Sequence, residues 1–137
     1  MLDKNLILQI QNALKKEQNI LAVYVFGSLI KGDETRESDF DIAFVVRNKK
    51  DTTDKKIYEF IKDIHFPKDL DISVVDKSSS PLFLFQIVST GKRIYEKSEN
   101  LANSFEAYIL NNYYDTQHLR NIYYKYLKSK FLDYERK

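Results

Sequence analysis

Two short, almost wholly apolar segments constrain the fold of this chain more than any other feature of its sequence. They are Ile20–Phe26 and Phe40–Val46, and both are rich in the β-branched and aromatic residues that favour strands. A strand with so few polar side chains has to be covered on both faces. A third segment of this type, Leu70–Val75, follows later in the chain. The three segments predict a small sheet with helices packed against it.

Helical patterns surround the predicted strands. Leu6, Ile10 and Leu14 are spaced four apart, which is typical of a half-buried helix. Ser80 is placed to cap a helix that starts at Pro81 and ends before Gly91. The predicted helices are 3–18, 53–64, 81–90 and, with one or more breaks, 101–131, and a short extended piece is predicted at 93–95. The fold class is therefore α/β (α+β), a small mixed β-sheet with flanking helices and a helical C-terminal tail.

The length of 137 residues fits one compact domain, and no linker or repeat divides the chain. We expect residues 1–96 to form the α/β core and residues 97–137 to form a helical part that binds a partner. Aromatic and apolar residues of this part fall at helical spacing: Phe105, Tyr108, Ile109, Tyr113, Leu119, Ile122, Tyr123, Tyr126 and Leu127. A packed core face explains much of this pattern, but so many tyrosines also favour a protein interface.

Composition excludes several classes of protein. The chain has no cysteine, which excludes disulfides, thiolate zinc sites and a cysteine nucleophile. It has 22 Lys and Arg against 20 Asp and Glu, a balance that does not indicate nucleic acid. The sequence shows neither a signal peptide nor a membrane span, so we expect a cytoplasmic protein without a membrane or direct nucleic-acid partner.

Polar residues concentrate where the first two strands meet. Asp39 and Asp41 alternate at the start of the second strand, so their carboxylates project from the same face. Two neighbouring carboxylates repel each other unless cations neutralise them, and a few oxygen ligands suit Mg²⁺. Asp71 in the third strand is the best candidate for a third carboxylate because an Asp inside a buried strand needs a partner. Asp69 has the same parity and is the alternative.

Gly27 and Ser28 follow the first strand directly. A glycine lets the backbone approach a phosphate, and the adjoining amides and the Ser28 hydroxyl can donate hydrogen bonds to its oxygens. The spacing is not that of a P-loop, because Lys31 precedes Gly32. The pair is therefore a candidate phosphate site of another type.

These motifs together resemble the nucleotidyltransferases of the DNA polymerase beta superfamily. The resemblance lies in Gly27-Ser28, then Ser38-Asp39-Phe40-Asp41 about ten residues later, then Asp71. Within that superfamily the chain resembles the minimal nucleotidyltransferase (MNT) antitoxins, which are partners of HEPN ribonuclease toxins. Lys31-Gly32 stands where many members have Arg-Gly, a departure that keeps the charge but loses the bidentate guanidinium.

The resemblance implies transfer of AMP from ATP to a tyrosine hydroxyl of a HEPN toxin, with two Mg²⁺ ions as cofactors. It implies that Asp39, Asp41 and Asp71 are catalytic metal ligands and that Gly27, Ser28 and Ser38 bind the nucleotide. Two alternatives stay open at this point. One is an antitoxin that inhibits its toxin by binding alone, and the other is a nucleotidyltransferase that acts on a small molecule.

Overall fold

The computed structural model describes residues 3–27, 40–67 and 69–136. Its elements run in the order α1 (Lys4–Leu14), β1 (Ile20–Phe26), β2 (Phe40–Val46), α2 (Asp54–Ile61), β3 (Leu70–Val75), α3 (Pro81–Thr90), β4 (Lys92–Glu96), α4 (Glu99–Asp115) and α5 (Gln117–Arg136). The three predicted strands are confirmed with their predicted bounds. The predicted α/β (α+β) class is confirmed as well.

The four strands form one mixed sheet in the order β3-β2-β1-β4. β1 pairs antiparallel with both β2 and β4, whereas β2 and β3 are parallel. The end of β1 and the starts of β2, β3 and β4 therefore lie at the same end of the sheet. Gly27, Asp41 and Asp71 lie at this end.

Helices cover both faces of the sheet, as the apolar strands predict. On one face α1 and α2 bury Ile10, Leu14 and Ile57 against alternate strand residues such as Ile42 and Phe44. On the other face, α3 and α4 bury Leu84, Ile87, Phe105 and Ile109 against the strand residues that alternate with Ile42 and Phe44 and their neighbours. Each fully buried side chain of this size contributes roughly 1.5–3 kcal/mol, so the two apolar layers hold the sheet in place.

Ser80, Pro81 and Gly91 bound α3 as the sequence predicts, and Asp3, predicted as the first residue of a helix, caps α1 instead. Ser80 accepts a hydrogen bond from the amide of Phe83, and Pro81 occupies the first turn of α3. Gly91 ends α3 by donating its amide to the carbonyl of Ile87. Asp3 caps α1 by accepting from the amide of Leu6 at 2.6 Å.

The predicted break in the C-terminal helical region lies at Thr116. The Thr116 hydroxyl donates to the carbonyl of Asn112 at 2.8 Å, and its amide donates to the same carbonyl. Thr116 is the C-cap of α4, and α5 begins at the next residue, Gln117. None of the helices in the described residues has the length and hydropathy that a membrane crossing requires.

Candidate active site

Three paired residues, Phe26, Asp41 and Asp71, form a row across the sheet at the end where β1 stops. We call this row the carboxylate row. Phe26 of β1 pairs with Asp41 of β2, and Asp41 pairs with Asp71 of β3. Neighbouring strands lie about 4.8 Å apart and paired residues project from the same face. The register therefore brings Asp41 and Asp71 side by side on the face that α3 and α4 cover.

The backbone of Gly27 lies next to the side chain of Asp41. Its φ is 84°, in the left-handed region that glycine adopts without strain. A Cβ built on Gly27 would overlap Oδ2 of Asp41 and would lie 3.1 Å from its Cγ. The missing side chain thus lets the Asp41 carboxylate lie directly against the backbone that follows β1.

Asp71 is exposed, which corrects the expectation that it lies inside a buried strand. The reason is the strand order, because β3 is the edge strand and its start is open to solvent. The predicted alternation itself is correct, since Leu70, Ile72 and Val74 pack against the α1–α2 layer. Asp69 is also exposed and precedes β3, whereas Asp71 has Asp41 as its direct partner.

The other predicted site residues, Ser28, Ser38 and Asp39, lie outside the described residues, as does Lys31. Within the described part of the chain, no group of three Asp, Glu, His or Cys side chains is placed to hold a metal ion. Asp41 and Asp71 supply hard oxygen donors, and such donors suit Mg²⁺ that keeps waters and substrate phosphates as further ligands. The donor chemistry of the described residues thus fits a magnesium ion.

An aromatic pair borders the row on the β1 side. The ring of Phe83 in α3 packs edge-on against Phe26, with ring centroids 6.0 Å apart. Phe26 is 8% exposed, and Phe83 is half-buried. The pair therefore places apolar surface beside Asp41 on the β1 side.

A partly buried polar network on the same face of the sheet was not predicted from the sequence. The Tyr24 hydroxyl donates to Oε1 of Glu106 in α4 at 2.5 Å, and Arg93 of β4 donates to the same oxygen at 3.1 Å. Burial, and then the hydrogen bond to Glu106, raises the pKa of Tyr24. Arg93 also pairs with Glu96 at 3.0 Å. The network joins α4 to β1 and β4 on the face of the sheet that also carries Asp41 and Asp71.

One signal in the sequence could have indicated this network. Tyr24 is the only residue of β1 with a polar group on its side chain, and a buried tyrosine hydroxyl needs a partner. Its partner Glu106 is 82 residues away, so the sequence alone does not identify it.

The fold is that of a nucleotidyltransferase domain. The family described as "Polymerase beta, Nucleotidyltransferase" matches residues 8–100, and the chain therefore belongs to this family. The superfamily inferred from the Gly-Ser and Asp-x-Asp motifs is thus confirmed. No curated protein matches the chain at a significant level.

Several solved structures share the fold over nearly the whole chain. A toxin–antitoxin structure with AMP-PNP is 21% identical with a TM-score of 0.71, covering 93% of this chain and 99% of that one. A mutant of the toxin–antitoxin MntA–HpeT is 19% identical with a TM-score of 0.72 and the same coverage. The tri-AMPylated HEPN toxin of Shewanella oneidensis in complex with MNT antitoxin gives 18% identity, a TM-score of 0.67, and coverage of 91% and 98%. Hence the fold resembles that found in MNT–HEPN complexes.

Proposed function

We propose that this protein is an antitoxin adenylyltransferase that transfers AMP from ATP to a tyrosine hydroxyl of a cognate HEPN ribonuclease toxin and so neutralises it. The observation that carries the proposal is the pairing of Asp41 with Asp71 beside Gly27 in a nucleotidyltransferase domain. The similar structures support it, because one contains AMP-PNP and another contains a tri-AMPylated HEPN toxin with its MNT antitoxin.

The proposed reaction is an in-line displacement at the α-phosphorus of ATP. The tyrosine oxygen forms a bond to that phosphorus, the bond to the bridging oxygen of the β-phosphate breaks, and pyrophosphate leaves. The phenol proton has to be removed as the new bond forms, and the Asp71 carboxylate takes it in this proposal. Because Asp71 is exposed, the side chain of a large protein acceptor can reach it.

Three carboxylates hold the metal in this proposal: Asp39, Asp41 and Asp71. Two Mg²⁺ ions bound by these carboxylates would neutralise charge on the triphosphate and on the leaving pyrophosphate. Gly27, Ser28 and Ser38 bind the phosphates, with Gly27 giving close backbone approach. Asp41 is held against Gly27, so its carboxylate is oriented before the nucleotide binds, which reduces the cost of organising the site.

The test is incubation of the purified chain with ATP labelled at the α-phosphate, Mg²⁺ and the HEPN-type protein encoded beside its gene. We expect label on a tyrosine of the HEPN protein and loss of its ribonuclease activity. Asp41→Asn and Asp71→Asn should each lower the rate of labelling by at least about 100-fold, since each removes a ligand that stabilises the transition state. Omission of Mg²⁺ should abolish labelling.

Two matched substitutions sharpen this experiment. Asp63→Asn makes the same change at an exposed site in the turn after α2 and should leave the rate unchanged. Asp69→Asn tests the alternative third ligand and should also have little effect, because Asp71 is the residue paired with Asp41. An unlabelled but inhibited HEPN protein would instead support inhibition by binding alone.

A further inference from the structure

Helix α5 presents an apolar face that nothing in the described chain covers. Leu119 is 65% exposed, Tyr123 59% and Tyr126 58%, and Ile122 and Leu127 are also exposed. We call these five residues the α5 apolar face. Their spacing of i, i+3, i+4, i+7 and i+8 is that of a helix seam that packs against another helix.

The α5 apolar face continues into a groove against the start of α3. The groove has a volume of about 340 Å³, and its lining includes Leu82, Leu119, Arg120, Tyr123 and Tyr124. Leu82 is itself 45% exposed. Grooves of this kind accept a large apolar side chain from a partner, and tyrosines around them are common in protein interfaces.

The start of α5 contacts α4, and through it α3. The Arg120 guanidinium lies 3.8 Å from the ring centre of Tyr113 and donates to the Tyr113 carbonyl at 2.5 Å. Tyr113 in turn stacks on Phe85 of α3 with ring centroids 3.8 Å apart. These contacts fix the direction in which α5 leaves the domain, so its face is organised before a partner binds.

The charge of the segment identifies the kind of partner. Residues 116–132 contain no Asp or Glu, but they include Arg120, Lys125, Lys128 and Lys130. Two copies of this face would bring like charges together, which is unfavourable in a helix pair. A helix with an apolar stripe bordered by Asp and Glu would complement the face in both shape and charge.

We propose that the α5 apolar face and its groove dock an acidic amphipathic helix of the protein that accepts AMP, which rests on the proposed function. The docking site is distinct from the carboxylate row, because the lining of the groove includes neither Asp41 nor Asp71. It holds the acceptor protein on the domain while one of its tyrosines reaches Asp71. In this proposal most of the affinity for the acceptor comes from α5, whereas AMP transfer takes place at the carboxylate row.

The test measures binding of the full chain to the HEPN-type protein encoded beside its gene, by titration calorimetry at low and high salt. Leu119→Ala/Tyr123→Ala should weaken binding at least about 30-fold, because it removes two groove anchors. Lys125→Glu/Lys128→Glu should weaken it at least about 10-fold at low salt and flatten its salt dependence. Lys15→Glu/Lys16→Glu, the same charge change at the end of α1, should bind like the wild type.

Binding and labelling are measured on the same variants so that the two proposals can fail separately. Wild-type binding by Asp41→Asn, with loss of labelling, supports both. If the wild type binds the HEPN-type protein but does not label it, the proposed AMP transfer is overturned and the proposed docking site is not affected. Wild-type affinity of both α5 variants would overturn the docking site, even if labelling persists.

Other occupants of the face are tested with defined probes. Stronger binding of the wild type than of Leu119→Ala/Tyr123→Ala to phosphatidylcholine–phosphatidylglycerol vesicles or to single-stranded RNA, with no loss of HEPN binding, would overturn the proposal. Self-association that the same substitutions abolish would also overturn it. Circular dichroism and thermal unfolding of each variant should match the wild type, because the replaced side chains are exposed.

Discussion

Gly27 meets two demands that no other residue meets together. Its φ of 84° costs an alanine about 1 kcal/mol or more, and a Cβ would overlap the Asp41 carboxylate. We predict that Gly27→Ala lowers the rate of AMP transfer at least about 100-fold, because Asp41 is displaced, and lowers the free energy of unfolding by only about 1–2 kcal/mol. Labelling assays and urea unfolding measure the two effects.

A double-mutant cycle with Asp41→Asn shows whether Gly27 acts through Asp41. If it does, Gly27→Ala should cost little further activity once the carboxylate is absent. Fully additive losses would contradict this and would assign Gly27 an independent role at the phosphates. The cycle therefore separates the space that Gly27 leaves for Asp41 from the approach it allows to a nucleotide.

The sequence predicts some of these residue-scale features but not others. Alternation along β2 and β3 places Asp41 and Asp71 on definite faces, and the register confirms that they share one. The exposure of Asp71 was not predictable, because alternation does not say which strand lies at the edge of the sheet. The contact between Gly27 and Asp41 also depends on the pairing of β1 with β2.

At the scale of elements, Asp76 joins two loops at the end of the sheet opposite to the carboxylate row. It is 8% exposed and accepts hydrogen bonds from the amide of Lys49 at 2.9 Å and from the amide of Ser78 at 2.8 Å, besides the Ser78 hydroxyl. Burial opposes ionisation of Asp76, but these hydrogen bonds outweigh it and lower its pKa. The carboxylate thus ties the turn after β2 to the turn after β3.

The lowered pKa predicts how this tie depends on pH. The ionised carboxylate stabilises the fold above its unfolded pKa of about 3.9, and the stabilisation is lost as the pH falls through the lower folded value. We expect Asp76→Asn to reduce the free energy of unfolding by about 2 kcal/mol at pH 7. The difference from the wild type should shrink below about pH 4. Urea unfolding at pH 7 and at about pH 3 measures it.

Ser78→Ala is the matched control for Asp76, because it removes one donor and leaves the carboxylate. It should cost about 1 kcal/mol at pH 7. A difference between Asp76→Asn and the wild type that is the same at both pH values would contradict the electrostatic explanation. It would then indicate that packing of the side chain, and not its charge, stabilises the loops.

The bounds of the first three strands and of α3 were predicted correctly, whereas the predicted helices 3–18 and 53–64 extend beyond the observed ends of α1 at Leu14 and of α2 at Ile61. Ser80, Pro81 and Gly91 define α3 through capping and backbone geometry, and these effects act within a few residues. The sequence predicted a break in the C-terminal helical region, but not its position at Thr116. Thr116 bonds back to the preceding turn and Arg120 contacts Tyr113, and a periodic pattern reveals neither contact.

At the scale of the whole molecule, the sheet lies between two apolar layers, and the C-terminal helices contribute unequally to them. Ala102, Phe105 and Ile109 of α4 are at most 3% exposed and pack on the sheet. The apolar side chains described for α5 are at least 40% exposed. The buried core therefore includes α4, whereas α5 extends from it.

This division predicts the result of shortening the chain. Among the side chains described for α5, a chain that ends at Thr116 loses exposed apolar ones and Arg120. Arg120 contacts the ring of Tyr113, which contributes about 1 kcal/mol, and donates hydrogen bonds to the Tyr113 carbonyl and to Thr116. We expect its free energy of unfolding to fall by no more than about 1–2 kcal/mol. A chain that ends at Ser98 loses Phe105 and Ile109, each worth about 2–5 kcal/mol as a buried side chain, and should not unfold cooperatively. Urea unfolding followed by circular dichroism compares the two.

The shortened chain also separates stability from recognition. With α5 removed, the carboxylate row and the network of Tyr24, Glu106 and Arg93 remain, so ATP binding should persist while affinity for the HEPN protein falls. A loss of more than about 4 kcal/mol on removal of α5 would contradict this view. It would mean that α5 stabilises the domain itself, and the exposed tyrosines would then not need a partner to account for them.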